Sequence, residues 1–291
     1  MIIIFQKTHY RAAISENFPD IQHQYGFTSL LHKKNKKMFH SIYKKDPLSI
    51  LAFFIVMSLV SCGKNETDTI AIIKGSDYFP LAVGKTATFN VDTVIYDQQP
   101  SGGTVIDTFK WQVKDAIVDT FRDKNNILRY RIERSEKRIG TSVFQVNHVF
   151  STAFTADYAL MFESNFTYIK FPALLKQGIS WDGNIFNDET TELDIAGDVL
   201  KPFSNTWNFE VLTVGKAEKI GGKDYADVLT IEAQTDPRVL TERRYSLEKY
   251  AKGIGLVYKE VKVLDTQKLD ATIAWEKRAQ KGYILKQIRV D

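Results

Sequence analysis

From Tyr78 onward, apolar residues recur at every second position, and this period admits little besides β-structure. Phe109, Trp111 and Val113 share one face, with Lys110, Gln112 and Lys114 on the other. Leu128, Tyr130 and Ile132 alternate with Arg129, Arg131 and Glu133. Trp207, Phe209 and Val211 repeat the pattern, as do Leu229, Ile231 and Ala233, and Ala271, Ile273 and Trp275. A strand with one apolar and one charged face belongs in an antiparallel sheet that is wet on one side. No long helical stripe interrupts this; short helices are expected only near Ala153–Phe162 and Leu240–Lys252.

The punctuation agrees. Asp123-Lys124-Asn125-Asn126 and Gly221-Gly222-Lys223-Asp224 read as hairpin turns, and Gln280-Lys281-Gly282 returns the chain into a last strand, Tyr283 to Val290. Pro80, Pro100, Pro172, Pro202 and Pro237 fall between the alternating runs, as they must where ladder donors are needed. The reading is one all-β domain over residues 78–291: an antiparallel roll, sandwich or open barrel. Phe79-Pro80-Leu81 with Gly84 resembles Phe171-Pro172-Ala173-Leu174 with Gly178, and each precedes a long hairpin, Thr108 to Glu133 and Trp207 to Glu232. Two related β-units would explain the echo; two ordinary Pro/Gly strand starts would also produce it.

Charge is unevenly spread. The 291 residues carry 39 Lys and Arg against 35 Asp and Glu, net +4. Residues 1–61 hold eight of the basic and three of the acidic residues, so the remainder is net −1. The basic character therefore belongs to the N-terminus and does not point to nucleic acid.

That N-terminus reads as an address. Leu48 to Val60 is a 13-residue apolar run behind Lys44 and Lys45. It is too short for a membrane span, which needs about 20 residues, and suits the core of a secretory signal. It ends in Leu59-Val60-Ser61-Cys62, and Cys62 is the only cysteine. These four residues resemble the lipobox of bacterial lipoproteins. The resemblance implies cleavage between Ser61 and Cys62, a diacylglycerol on the Cys62 sulfur, and an acylated (palmitate-type) amino terminus. Residues 38–61 are then the signal peptide, with Met38 as initiator, and residues 1–37 an upstream extension or misassigned start. Residues 62–77 are the lipidated cysteine and a polar tether. Gly63 is compatible with export to the outer membrane; Glu66 and Asp68 beside Lys64 leave the leaflet undecided. Phe79-Pro80-Leu81 with Gly84, and Lys252-Gly253-Ile254-Gly255-Leu256-Val257-Tyr258, resemble segments of β-rich envelope lipoproteins of the Bacteroidota. The resemblance implies location and fold, and no activity.

Catalytic and metal-binding signatures are sparse. Beyond residue 61 the only histidine is His148, and a lipidated Cys62 is not a nucleophile. This disfavours Cys/His zinc sites, cysteine nucleophiles and most triads. Neither a Gly-x-Ser-x-Gly elbow nor a Walker or Gly-x-Gly-x-x-Gly loop is present, and no cofactor is implied. His148 shares a face with Phe144, Val146 and Phe150, so it is expected in the core, neutral and hydrogen-bonded; alternatively it sits at a pocket mouth and binds a ligand. Trp181 is either a core residue at a strand start or an exposed ring able to stack on a sugar. Asp107, Asp115 and Asp119, or Asp182, Asp188 and Glu189, are the carboxylates a glycoside hydrolase would draw on. Asp182, Asn184, Asn187 and Asp188 are a weak calcium set.

The leading expectation is a non-catalytic cell-envelope lipoprotein, a binding or structural module held at the membrane by its anchor, with a glycan, a lipid or an envelope protein as its partner. One alternative is a carrier with a lipid or apolar ligand in a β-cavity; the other is a carboxylate-only glycoside hydrolase.

Overall fold

A computed structural model describes residues 73–138, 140–195 and 197–291. Ser61, Cys62, the signal peptide, the upstream extension and most of the tether lie outside the described residues.

The all-β expectation holds. In chain order, β1 (Ile73–Lys74) leads through a 3-10 turn, Gly75–Tyr78, into β2 (Thr86–Gln98), β3 (Thr104–Arg122), β4 (Leu128–Arg138), β5 (Gln145–Phe154), β6 (Tyr158–Glu163) and β7 (Phe166–Pro172). After β8 (Leu174–Leu175), which pairs with β1, come β9 (Ser180–Asp182) and a hairpin of β10 (Leu193–Ile195) and β11 (Asp198–Leu200). The chain then runs through β12 (Asn208–Ile220), β13 (Lys223–Gln234), β14 (Glu242–Ala251), β15 (Gly255–Asp265), a one-turn helix α1 (Trp275–Arg278) and β16 (Lys281–Arg289). Twelve strands form one antiparallel sheet, ordered β7-β6-β5-β4-β3-β2-β16-β15-β14-β13-β12-β9.

That order is two six-strand meanders joined at β2 and β16. The start of each meander is built alike. Gly84 N–H donates to the Ile117 carbonyl (2.8 Å) and Ile117 N–H to Lys85 (2.9 Å); Gly178 N–H donates to Val211 (2.8 Å) and Val211 N–H to Ile179 (3.0 Å). Both glycines have positive φ, 89° and 80°, a conformation glycine adopts without a Cβ penalty. The register continues in step: Thr86 pairs Ala116 and Ser180 pairs Glu210, while Ala87 pairs Asp115 and Trp181 pairs Phe209. The two Phe-Pro segments therefore open two related β-units, and Phe79 and Phe171 meet edge to face at 5.6 Å.

One seam between the units is a full ladder and the other is only bridged. The β2–β16 seam is a full ladder from Phe89–Arg289 to Tyr96–Gly282. Its counterpart between β7 and β9 is short, because β9 has three residues. There Ile169 N–H donates to the Gly183 carbonyl (2.9 Å), Trp181 Nε1–H to the Ile169 carbonyl (3.2 Å) and Thr167 N–H to Asn187 Oδ1 (3.0 Å). The sheet is a nearly closed barrel. About eight strands enclose an interior that side chains just fill; twelve leave room to spare.

Residues 183–195 and 197–207 fill one end. Ile195, Leu200 and Trp207 pack on Val91, Trp111, Val263 and Tyr283, and Phe203 on Met161 and Tyr168. The Asp198 carboxylate accepts from Gln98 N–H at the end of β2 and faces Lys281 at the start of β16 (3.6 Å), while Arg244 Nε donates to the Lys201 carbonyl (3.1 Å).

Five expectations are corrected. Residues 153–162 are not helical; they form the β5–β6 hairpin, in which Ala153, Ala159, Leu160 and Met161 are buried by both sheet faces. Residues 240–252 are not helical; they contain β14 (Glu242–Ala251), whose inward residues include Arg244, Ser246 and Glu248, so apolar alternation is hidden. Ala271–Trp275 is not a strand: Asp270 Oδ1 accepts from Thr272 N–H (2.9 Å) and its hydroxyl (2.6 Å), making a turn that leads into α1. Phe109 lies on the apolar phase but is exposed, because β4 covers β3 only from Trp111 onward. Pro172 is the last residue of β7, at the short seam, where a missing donor is tolerated.

Candidate functional site

The end of the barrel opposite residues 183–195 and 197–207 is open. A cavity of about 350 Å³ enters there between the start of β2 (Lys85, Thr86), the end of β16 (Arg289) and the β14–β15 turn (Gly253, Ile254). Phe79, Leu81, Ile117, Ile132, Phe150 and Met161 give it an apolar collar. Its floor is polar: Lys170, Glu248, Lys259 and Gln287, with Arg134 and Asp115 in the wall.

Strand register builds this floor. Glu248, Lys259 and Gln287 are lateral neighbours on β14, β15 and β16, all pointing inward. Lys170 reaches the same place from β7. Its ammonium lies 2.7 Å from Glu248 Oε1, and that of Lys259 lies 3.0 Å from the same oxygen. The Tyr250 hydroxyl donates to Glu248 Oε2. Burial alone would raise the Glu248 pKa, but the two lysines and the hydroxyl hold it well below the usual carboxylate range. Burial lowers the Lys170 pKa despite Glu248, and the Lys259 charge lowers it further. Gln287 is 1% exposed, and neither its Oε1 nor its Nε2 has a hydrogen-bond partner among the described residues; the Thr152 hydroxyl in the wall is in the same position. Unsatisfied buried polar groups are uncommon and call for an explanation.

A second row runs across Asp115, Arg134 and His148 on β3, β4 and β5. Asp115 receives Arg134 through both oxygens at 2.6 Å. His148 Nε2 lies 2.9 Å from Glu163 Oε1, with the imidazole one-third exposed and stacked on Phe150. Burial would raise the Glu163 pKa; the His148 hydrogen bond and the Arg134 charge bring it below its usual value.

Of the sequence-derived candidates only Asp115 lines the cavity, and it is paired to Arg134. His148 is paired to Glu163 and is not among the lining residues. Trp181 is half-buried in the short seam, its N–H held by Ile169 and its ring 5.8 Å from Phe209. Asp115 and Asp119 each face their own arginine, Arg134 and Arg131. The Asp182 and Asp188 side chains accept from backbone N–H groups two residues on, at Asn184 and Thr190. No group of three or more His, Cys, Asp or Glu suited to a metal occurs among the described residues. Lys170, Glu248, Lys259 and Gln287 were missed, although a signal existed for Lys259. Lys259 occupies the apolar phase of its strand, in Val257-x-Lys259-x-Val261-x-Val263, whereas Glu248 shares its phase with Arg244 and Ser246 and carries no such signal.

No family model and no curated protein matches the chain. Two solved structures are similar to it. One, from Bacteroides fragilis, is a protein inferred to be exported, with a YmcC-like fold (11% identity, 74% of this chain and 99% of that chain covered, TM-score 0.27). The other is an inferred lipoprotein from Parabacteroides distasonis (8% identity, 70% and 95% covered, TM-score 0.28). At these TM-scores the likeness carries no argument, and the architecture rests on the strand pairing itself.

Proposed function

We propose that this protein is a non-catalytic, lipid-anchored module of the cell envelope that carries a small apolar or amphipathic ligand inside its barrel. The observation that supports this most is the cavity: about 350 Å³, open at one end, apolar at the collar and ending on buried polar groups. That volume lies in the range of roughly 300–1,000 Å³ typical of small-molecule sites, which combine apolar walls with a few placed polar groups. The lipobox ending at Cys62 supports the anchor, which two or more acyl chains would make stable. The collar includes Phe79 and Leu81, which lie just after the tether in the chain. The outward residues of β3 and β4 include Lys110, Gln112, Lys114, Arg129 and Arg131, which suits a water-facing exterior rather than a membrane-spanning barrel.

A fluorescent apolar dye such as Nile red tests the reading. One dye should bind per chain with blue-shifted emission. Ala87→Trp, which places an indole at the mouth, should abolish binding and leave the far-ultraviolet circular dichroism unchanged. Absence of binding, or binding indifferent to Ala87→Trp, would remove the carrier reading.

A further inference from the structure

We propose that the ligand is a single-chain amphiphile with an anionic head, a fatty acid, inserted head first so that its carboxylate sits between Lys170, Lys259 and Gln287. This rests on the carrier reading and adds the ligand's class and its orientation.

Charge selects the head group. On the floor, two buried ammonium groups share one oxygen of one carboxylate, so Lys170, Lys259 and Glu248 together carry one excess positive charge away from water; the buried Glu163 carboxylate also attracts Lys170, but it is held by His148 and faces the Arg134 charge. A buried net charge is relieved by losing a proton or by gaining an opposite charge. An entering carboxylate supplies the second. It also accepts from Gln287 Nε2, a buried donor with no partner among the described residues. A cationic head would meet two ammoniums. A neutral head would meet Gln287's hydrogen-bonding need and leave the charge.

Polarity along the cavity selects the orientation. Between the floor and the rim lie Ile117, Ile132, Phe150, Met161, Phe79 and Leu81, which suit a hydrocarbon chain. Lys85 and Arg289 stand at the mouth, but Arg289 already donates to Asp291 (2.7 Å) and to the Ile254 carbonyl (3.0 Å), and Lys85 to the Gly253 carbonyl (3.2 Å). A fatty acid held by its head at that rim would press its methyl end against Gln287 and the two lysines. The reverse orientation pairs apolar with apolar and charge with charge.

Displacement of Nile red from the full chain by dodecanoate, dodecanol and dodecylamine at neutral pH tests this. Dodecanoate should bind at least about tenfold more tightly than dodecanol, and dodecylamine most weakly. Lys259→Met removes the excess charge, leaves the Lys170–Glu248 pair intact, and should reduce the acid-over-alcohol preference to within about twofold. Gln287→Leu should weaken dodecanoate about tenfold. Equal binding of acid and alcohol by the wild-type chain, or tighter binding of the amine, would overturn the anion site and leave the carrier reading standing. If the dye binds and none of the three displaces it, the fatty-acid proposal falls alone. If the dye itself fails to bind, the carrier reading falls with it.

Discussion

Glu248 is the residue on which the interior charge arrangement depends. It is 5% exposed and neutralises part of the charge of Lys170 and Lys259. Glu248→Gln leaves two buried ammoniums without a counter-charge and should cost about 3–5 kcal/mol of stability in denaturant titrations. The same residue sets an acid limit. Its folded pKa is depressed below 4.5, so the unfolded chain binds the proton more readily. Its contribution is complete above that value and is lost as pH falls from about 4.5 toward the folded pKa. An alkaline limit has the opposite origin. Burial raises the pKa of Tyr168, Tyr250 and Tyr283 above 10, so the folded chain keeps protons that the unfolded chain gives up. Stability should therefore decline as pH rises above 10, with the phenolate absorbance of these three appearing only as the chain unfolds. Equilibrium unfolding across pH checks both arms.

Among the elements, β9 is the weak one. It has three residues and is bridged to β7 only through Trp181 and through Gly183 and Asn187 beyond it, whereas β2 and β16 make a full ladder. Close approach at Gly183 makes this seam possible: a Cβ there would lie 2.6 Å from the Phe209 ring. Gly183→Ala should displace Phe209 or the strand and destabilise the chain by about 1–3 kcal/mol. Hydrogen exchange should localise the damage, with the Ile169 amide exposed early and the β2–β16 amides still protected.

At the scale of the whole molecule, closure joins distant parts of the chain. The β2–β16 ladder pairs residues such as Phe89 and Arg289, so most of the chain must be in place before it forms. Refolding should accordingly be slow, in milliseconds to seconds or longer, as for other domains of high contact order. Stopped-flow fluorescence of the buried tryptophans Trp111 and Trp207 would follow it. In cells, Cys62→Ala should shift the protein from the membrane fraction to the soluble fraction, because acyl burial is then lost.

Local chemistry was legible in the sequence. Period-two alternation identified β3, β4, β12 and β13, because one face of each meets a dry interior and the other meets water. The Asn and Gly turns followed from φ/ψ demands, and the paired Phe-Pro-and-Gly segments marked the two units. Alternation failed where the interior itself is polar. In β14, Arg244, Ser246 and Glu248 occupy inward positions and read as surface. Which charged residues point inward, and which meet one another, depends on strand order and closure. Lys170 and Glu248 are 78 residues apart in the chain and 2.7 Å apart in space. Only the tertiary structure decides that, because the barrel's strand number sets how much interior remains unfilled, and its register sets which side chains face it.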